Sequence, residues 1–211
     1  MNRFATLALS LIALVAASTC AVAAEPPTPK DRIDAIYGHI KAMADTATTQ
    51  DELTNLVTAE LDTFINYEAF SARTLKTSWG SLTPEQKATF MDRFKRLVIR
   101  TYAKKFQPKT EFTIEYRGEP DFTNTGKTEA TVKTTVRGKK AAADVDYLVA
   151  LGESGGKKTW RAFDIIVDEV SMALNWRQQF EKIIAKEGFD SLITKINKKL
   201  DKQQESGSND E

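Results

Sequence analysis

WRAFDIIVDEVSMALNWRQQF, residues 160–180, changes period partway along its length. Trp160, Ala162, Asp164 and Ile166 alternate with their neighbours as on a strand ending near Val167. From Ser171 the spacing becomes that of a helix: Met172, Ala173, Trp176, Phe180, Ile183 and Ile184 share one face, and Ser171 stands where an N-cap belongs. A strand that runs straight into an amphipathic helix, apolar on both sides of the join, marks the end of a sheet and a helix folding back on it.

Upstream of this join the two-residue period recurs. Phe112, Ile114 and Tyr116 alternate with polar residues, as do Ala130, Val132, Thr134 and Val136, and again Val145, Tyr147, Val149 and Leu151. Gly118, Gly126, Gly138 and the pair Gly155-Gly156 separate these runs as turns. Half-apolar strands joined by short turns predict a curved antiparallel sheet of about four strands with one buried face.

On either side of the sheet the period is helical. Ile33, Ile36, Tyr37, Ile40 and Met43 make one stripe, and Leu53, Leu56, Val57, Leu61 and Phe64 a second, split near residues 48–51; a short third helix fits Tyr67 to Leu75. Thr83-Pro84-Glu85-Gln86 is an N-cap, a first-turn proline and a capping-box glutamine. Phe90, Phe94, Leu97, Val98, Tyr102 and Phe106 follow it along one face. After Gly188, Phe189, Leu192, Ile193, Ile196 and Leu200 form a closing helix. The expected class is α+β: N-terminal helices, the sheet, then C-terminal helices, in one domain over residues 25–201.

The ends read differently. Arg3 is followed by an uncharged run from Phe4 to Ala24 that ends in small residues, the pattern of a cleaved signal peptide over residues 1–24. Ala17-Ser18-Thr19 before Cys20 lacks the leucine of a lipoprotein site, so acylation is not expected. Residues 202–211 carry nothing apolar to bury and are expected to form a disordered tail.

The 30 Lys and Arg fall by one with Arg3, matching the 29 Asp and Glu, so the mature chain is neutral and nucleic acid is not an expected partner. His39 is the only histidine, which excludes a histidine triad or a multi-histidine metal site; no metal, cofactor or catalytic set is expected. Asp164 is the one acid that would matter as a base, if buried beside a pocket as in ketosteroid-isomerase-type enzymes; the plainer reading pairs it with an arginine or a turn. Arg93, Arg96, Arg100 and Lys104 form a basic stripe that is either a solvated flank or a docking surface.

The helices carry more apolar stripe than a sheet with one buried face requires, which leaves two readings: a solid core, or a pocket between sheet and long helix. Here the chain resembles the MlaC-type, or toluene-tolerance, family of periplasmic phospholipid-binding auxiliaries of ABC transport systems. The resemblance rests on Trp79 before Thr83-Pro84-Glu85-Gln86, on Phe90, Phe94 and Tyr102, and on WRAFDIIVDEVSM, NWRQQF and GFDSLI. Glu169 stands where that family often has glycine.

The resemblance implies a wrap of helices and sheet like that of nuclear transport factor 2 (NTF2-like) around an apolar pocket. It also implies a phospholipid cargo moved through the periplasm between an outer-membrane lipoprotein/porin complex and an inner-membrane MCE-domain ABC transporter, maintaining outer-membrane lipid asymmetry. A carrier of another apolar cargo, such as a hopanoid, would show the same periodicities. The pocket is expected to have Trp160, Ile166, Met172 and Trp176 on one wall and Phe90, Phe94, Val98 and Tyr102 on the other. Phe112, Ile114, Val132, Val145 and Tyr147 would pave the sheet between them.

Overall fold

The computed structural model describes residues 25–102, 107–139 and 141–207. The expected leader lies outside them. Among the described residues, five of the six α-helices begin on a side-chain cap that the sequence supplies. Thr28 and Asp31 cap each other's backbone N–H at 3.1 Å, with Pro29 opening α1 (Pro29–Thr46). Thr49 accepts from Glu52 N at the start of α2 (Gln50–Phe64), and Asn66 from Ala69 N at the start of α3 (Tyr67–Leu75). Ser171 caps α5 (Met172–Glu187) by accepting from Leu174 N at 3.1 Å. The box at Thr83 and Gln86 closes at 3.0 and 3.2 Å ahead of α4 (Pro84–Tyr102). Each cap satisfies N–H groups that a helix start otherwise leaves bare.

Six antiparallel strands follow the order β1-β3-β4-β5-β6 in an open, curved sheet, with β2 also on β3. The four long strands are β1 (Phe112–Tyr116), β3 (Glu129–Gly138), β4 (Ala142–Ser154) and β5 (Lys157–Val167), as the alternation predicts. The two-residue strands β2 (Asp121–Phe122) and β6 (Val170–Ser171) are additions at the edges, too short to show a period. β1 and β2 lie along the same side of β3, interrupted where Gly118 turns at φ 107°.

One irregularity resets the sheet. Val149 pairs with Ala162 but Leu148 pairs with Asp164, so Phe163 is an extra residue on β5. Such a bulge reverses which side chains face inward beyond it. Trp160 and Ala162 share a face with Leu151 and Val149; past the bulge that face belongs to Ile165 and Val167, opposite Tyr147 and Val145. The unbroken alternation expected through Ile166 is corrected here.

The helices form two groups. α1 and α2 pack on each other and against the sheet, while α3, α4, α5 and α6 pack together in a second layer that meets the sheet at β5 through α3 and α5. The heart of that layer is aromatic. Phe94, fully buried, meets Phe70, Phe90, Trp176 and Phe180 at ring-centroid distances of 5.2, 5.2, 6.1 and 5.8 Å. α6 (Phe189–Gly207) runs past Leu200 into the stretch expected to be tail. Asp201, Lys202 and Gln203 are adequate helix formers, and an established helix adds residues cheaply until Ser206 and Gly207.

Candidate functional site: an apolar cavity beneath the sheet

Between α1 and the inner face of the sheet lies a cavity of about 380 Å³. α1 contributes Ile33, Ile36, Tyr37 and Ile40 at helical spacing, the face that its amphipathic pattern must bury. Leu61 and Phe64 enter from α2, Val98, Ile99 and Tyr102 from the last turns of α4, and Met172 from the start of α5. The sheet supplies Phe112, Val136, Val145, Tyr147, Ile165 and Val167. Among the described residues no charged side chain lines it.

The cavity has a direction. Its solvent-exposed lining residues, Gln107, Gly138, Ala141 and Ala142, gather at the β3–β4 hairpin and the loop after α4, which mark the mouth. Ala44, at the end of α1, is tied to that loop through Lys109 N, 2.7 Å from its carbonyl oxygen. Inward along β4 come Ala143, Val145 and Tyr147; the next inward-facing residue, Val149, is fully buried and lines nothing.

Polar groups on the lining are few and partnered where they are deepest. Tyr37 and Tyr147 meet hydroxyl to hydroxyl at 2.5 Å. Burial pushes the Tyr37 phenol up to about 12, against the lowering effect of that hydrogen bond. Tyr147 is pushed well above the ordinary tyrosine value by burial first and then by Tyr37 beside it. Both therefore stay neutral at physiological pH. Thr134, buried on the same inner face, donates to the Val145 carbonyl at 2.7 Å and so presents no free hydroxyl.

Of the residues expected at a pocket, Val98, Tyr102, Phe112, Val145, Tyr147 and Met172 do line the cavity. Phe90, Phe94 and Trp176 do not: they form the aromatic layer with Phe180, because α4 and α5 each pass from cavity to solid core within about two turns. Trp160 sits beyond the inner end of the cavity with its ring 6.2 Å from Phe122. Ile114 and Val132 are packed into the core, and Ile166 lies on the outward parity set by the bulge. The α1 and α2 lining was missed, although its stripes are plain in the sequence; nothing in a stripe says what lies across from it.

Asp164 is buried but points elsewhere. Its carboxylate accepts from Arg73 Nε at 2.8 Å, Ser171 Oγ at 2.6 Å, Ala173 N at 3.1 Å and Ile165 N at 2.9 Å, and it does not line the cavity. Asp164 thus has the arginine partner and the turn of the plainer reading, and its carboxylate does not face the apolar space. His39 is exposed, with Nδ1 3.0 Å from Glu60 Oε1. The basic stripe is not a uniform surface. Arg96 is exposed, but Arg93 pairs with Asp92 at 3.1 Å and Arg100 Nη1 donates to the Leu200 carbonyl at 2.6 Å, because α6 packs along that flank. Lys104 lies outside the described residues.

A solved phospholipid-binding protein from Ralstonia solanacearum, in complex with a phospholipid, shares this fold. It is 20% identical, with a TM-score of 0.71 over 82% of this chain and 97% of that one. No curated protein matches by sequence. The family model described as MlaC protein matches residues 30–198, most of the chain, and the chain therefore belongs to the MlaC family.

Proposed function

We propose that the protein is a non-enzymatic phospholipid carrier that holds acyl chain in the cavity and moves lipid through the periplasm between an outer-membrane complex and an inner-membrane MCE-domain ABC transporter. The observation that carries this reading is the cavity itself: an interior wall of α1, α2 and sheet without a charged side chain, open at the β3–β4 hairpin. Membership of the MlaC family supports it, as does the phospholipid in the Ralstonia solanacearum relative. Each methylene withheld from water contributes about 0.8 kcal/mol, so two chains of roughly fourteen methylenes face a barrier on the order of 20 kcal/mol if they cross water bare. An apolar interior removes most of that barrier, while a mouth lined by Gln107 and Thr110 leaves the head group in water.

Transfer between vesicles tests the reading. Donor liposomes of phosphatidylglycerol carrying a fluorescent phospholipid should lose label to acceptor liposomes at a rate proportional to protein concentration. Val145→Trp, which fills the cavity midway between mouth and Tyr147, should abolish transfer with the helical and strand signatures of circular dichroism retained. Unchanged transfer by a folded Val145→Trp protein would show that the cavity is not the carrier site.

A further inference from the structure

The carrier reading assigns the cavity a cargo class; the geometry where its sheet wall ends goes further and rests on that reading. On the sheet, the lining ends at Tyr147. The inward-facing residues past it, Val149, Val132, Ala130 and Ala162, are each at most 2% exposed and none borders the cavity. Across from Tyr147 stands Tyr37 of α1, and the hydroxyls join the two walls. The rings are braced as well: Tyr147 lies edge-on to Phe64 at 5.9 Å and to Tyr37 at 6.3 Å, and Tyr37 edge-on to Phe112 at 5.7 Å. Apart from this pair, Tyr102, and Gln107 and Thr110 toward the mouth, the side chains that line the cavity are apolar.

We infer that the Tyr37–Tyr147 pair is the stop that sets the acyl-chain length the protein accepts. A chain entering from the hairpin end advances along Ala143 and Val145 toward the hydroxyl pair. Each added methylene gains affinity while it moves from water to apolar wall. Past the pair the gain ends. A further methylene either buckles inside the cavity or parts two hydroxyls, one buried and one half-buried, against apolar walls, and leaving such groups unpaired is costly. The arrangement therefore discriminates by length rather than by head group.

Displacement of 1-anilinonaphthalene-8-sulfonate from the detergent-stripped full chain by saturated even-numbered fatty acids, from decanoate to eicosanoate, reads this directly. In the wild type, affinity should rise about four-fold per methylene up to a break and then level or fall. Tyr147→Ala should move the break to chains longer by at least two carbons. Tyr37→Ala, which opens the same stop from the helix side, should do likewise and stands in should the sheet variant not fold. Binding that climbs through eicosanoate without a break in the wild type would overturn the inference, and so would a break that stays in place in a folded alanine variant. Failure of the wild type to bind any of the series would instead sink the carrier reading and this one with it.

Discussion

Arg73 Nε, on α3, donates to Asp164 Oδ2, on β5, at 2.8 Å, and the carboxylate is then enclosed by the Ser171 hydroxyl and the amides of Ile165 and Ala173. One buried acid thus ties the third helix, the last long strand and the start of α5 together at the join where the chain changes from strand to helix. Asp164→Ala leaves a guanidinium, a hydroxyl and two amides without their acceptor. Loss of one partner of a buried pair costs about 3–5 kcal/mol, and urea unfolding should show a midpoint reduced accordingly. Fatty-acid affinity of the remaining folded protein should be unchanged, because the carboxylate is no part of the cavity.

Phe94 tests the division between core and cavity. It touches four aromatic rings and does not line the cavity, so Phe94→Ala should destabilise by about 3–5 kcal/mol. The cargo recovered per mole of folded protein should match the wild type. A variant that stays stable but loses cargo would place the ring on the lipid wall instead.

The β5–β6 turn is made by Asp168 and Glu169 at φ 47° and 68°, left-handed conformations that side chains resist. Asp168 is anchored there, its N–H on the Asp144 carbonyl at 2.9 Å and its carboxylate accepting from Asp144 N at 3.0 Å. Among the described residues no matching bond anchors Glu169, and two-residue hairpins of this kind favour glycine in that place. Glu169→Gly should raise stability by about 0.5–1 kcal/mol, seen as a higher urea midpoint with unchanged slope.

The sequence shows where periodicity works and where it stops. α3 and the four long strands fall where their patterns place them, because a half-buried strand or helix must repeat its apolar side with the period of its backbone. The bulge at Phe163 is invisible to that logic: WRAFDIIV alternates through it, yet the inward face passes from Ala162 to Ile165. Phe90, Phe94, Val98 and Tyr102 are likewise one stripe in sequence and two environments in space, since α4 is long enough, about 28 Å, to leave the aromatic layer and reach the cavity. The role of α1 depends on which helix the sheet curls around, a matter of topology rather than of local pattern.

Alkaline titration gives a separate check on the tyrosine pair. Tyr37 and Tyr147 have folded values raised above the ordinary tyrosine value of about 10, so the folded chain holds protons that the unfolded chain releases. Their contribution is complete below pH 10 and is lost as pH climbs toward about 12, the Tyr37 value. The slope should be about 1.4 kcal/mol per pH unit for each tyrosine. Tyr37→Phe, which removes one of the two ionisable groups, should flatten the fall in unfolding free energy over that window.

Mass spectrometry of organic extracts from the purified, undenatured protein bears on the carrier account without any variant. Phospholipid should be recovered near one mole per mole of protein, and the stripped protein should regain it from phosphatidylglycerol vesicles. A hopanoid in its place would keep the apolar cavity and change the cargo. Protein that yields no lipid in repeated preparations and takes none from vesicles would contradict the account at its root.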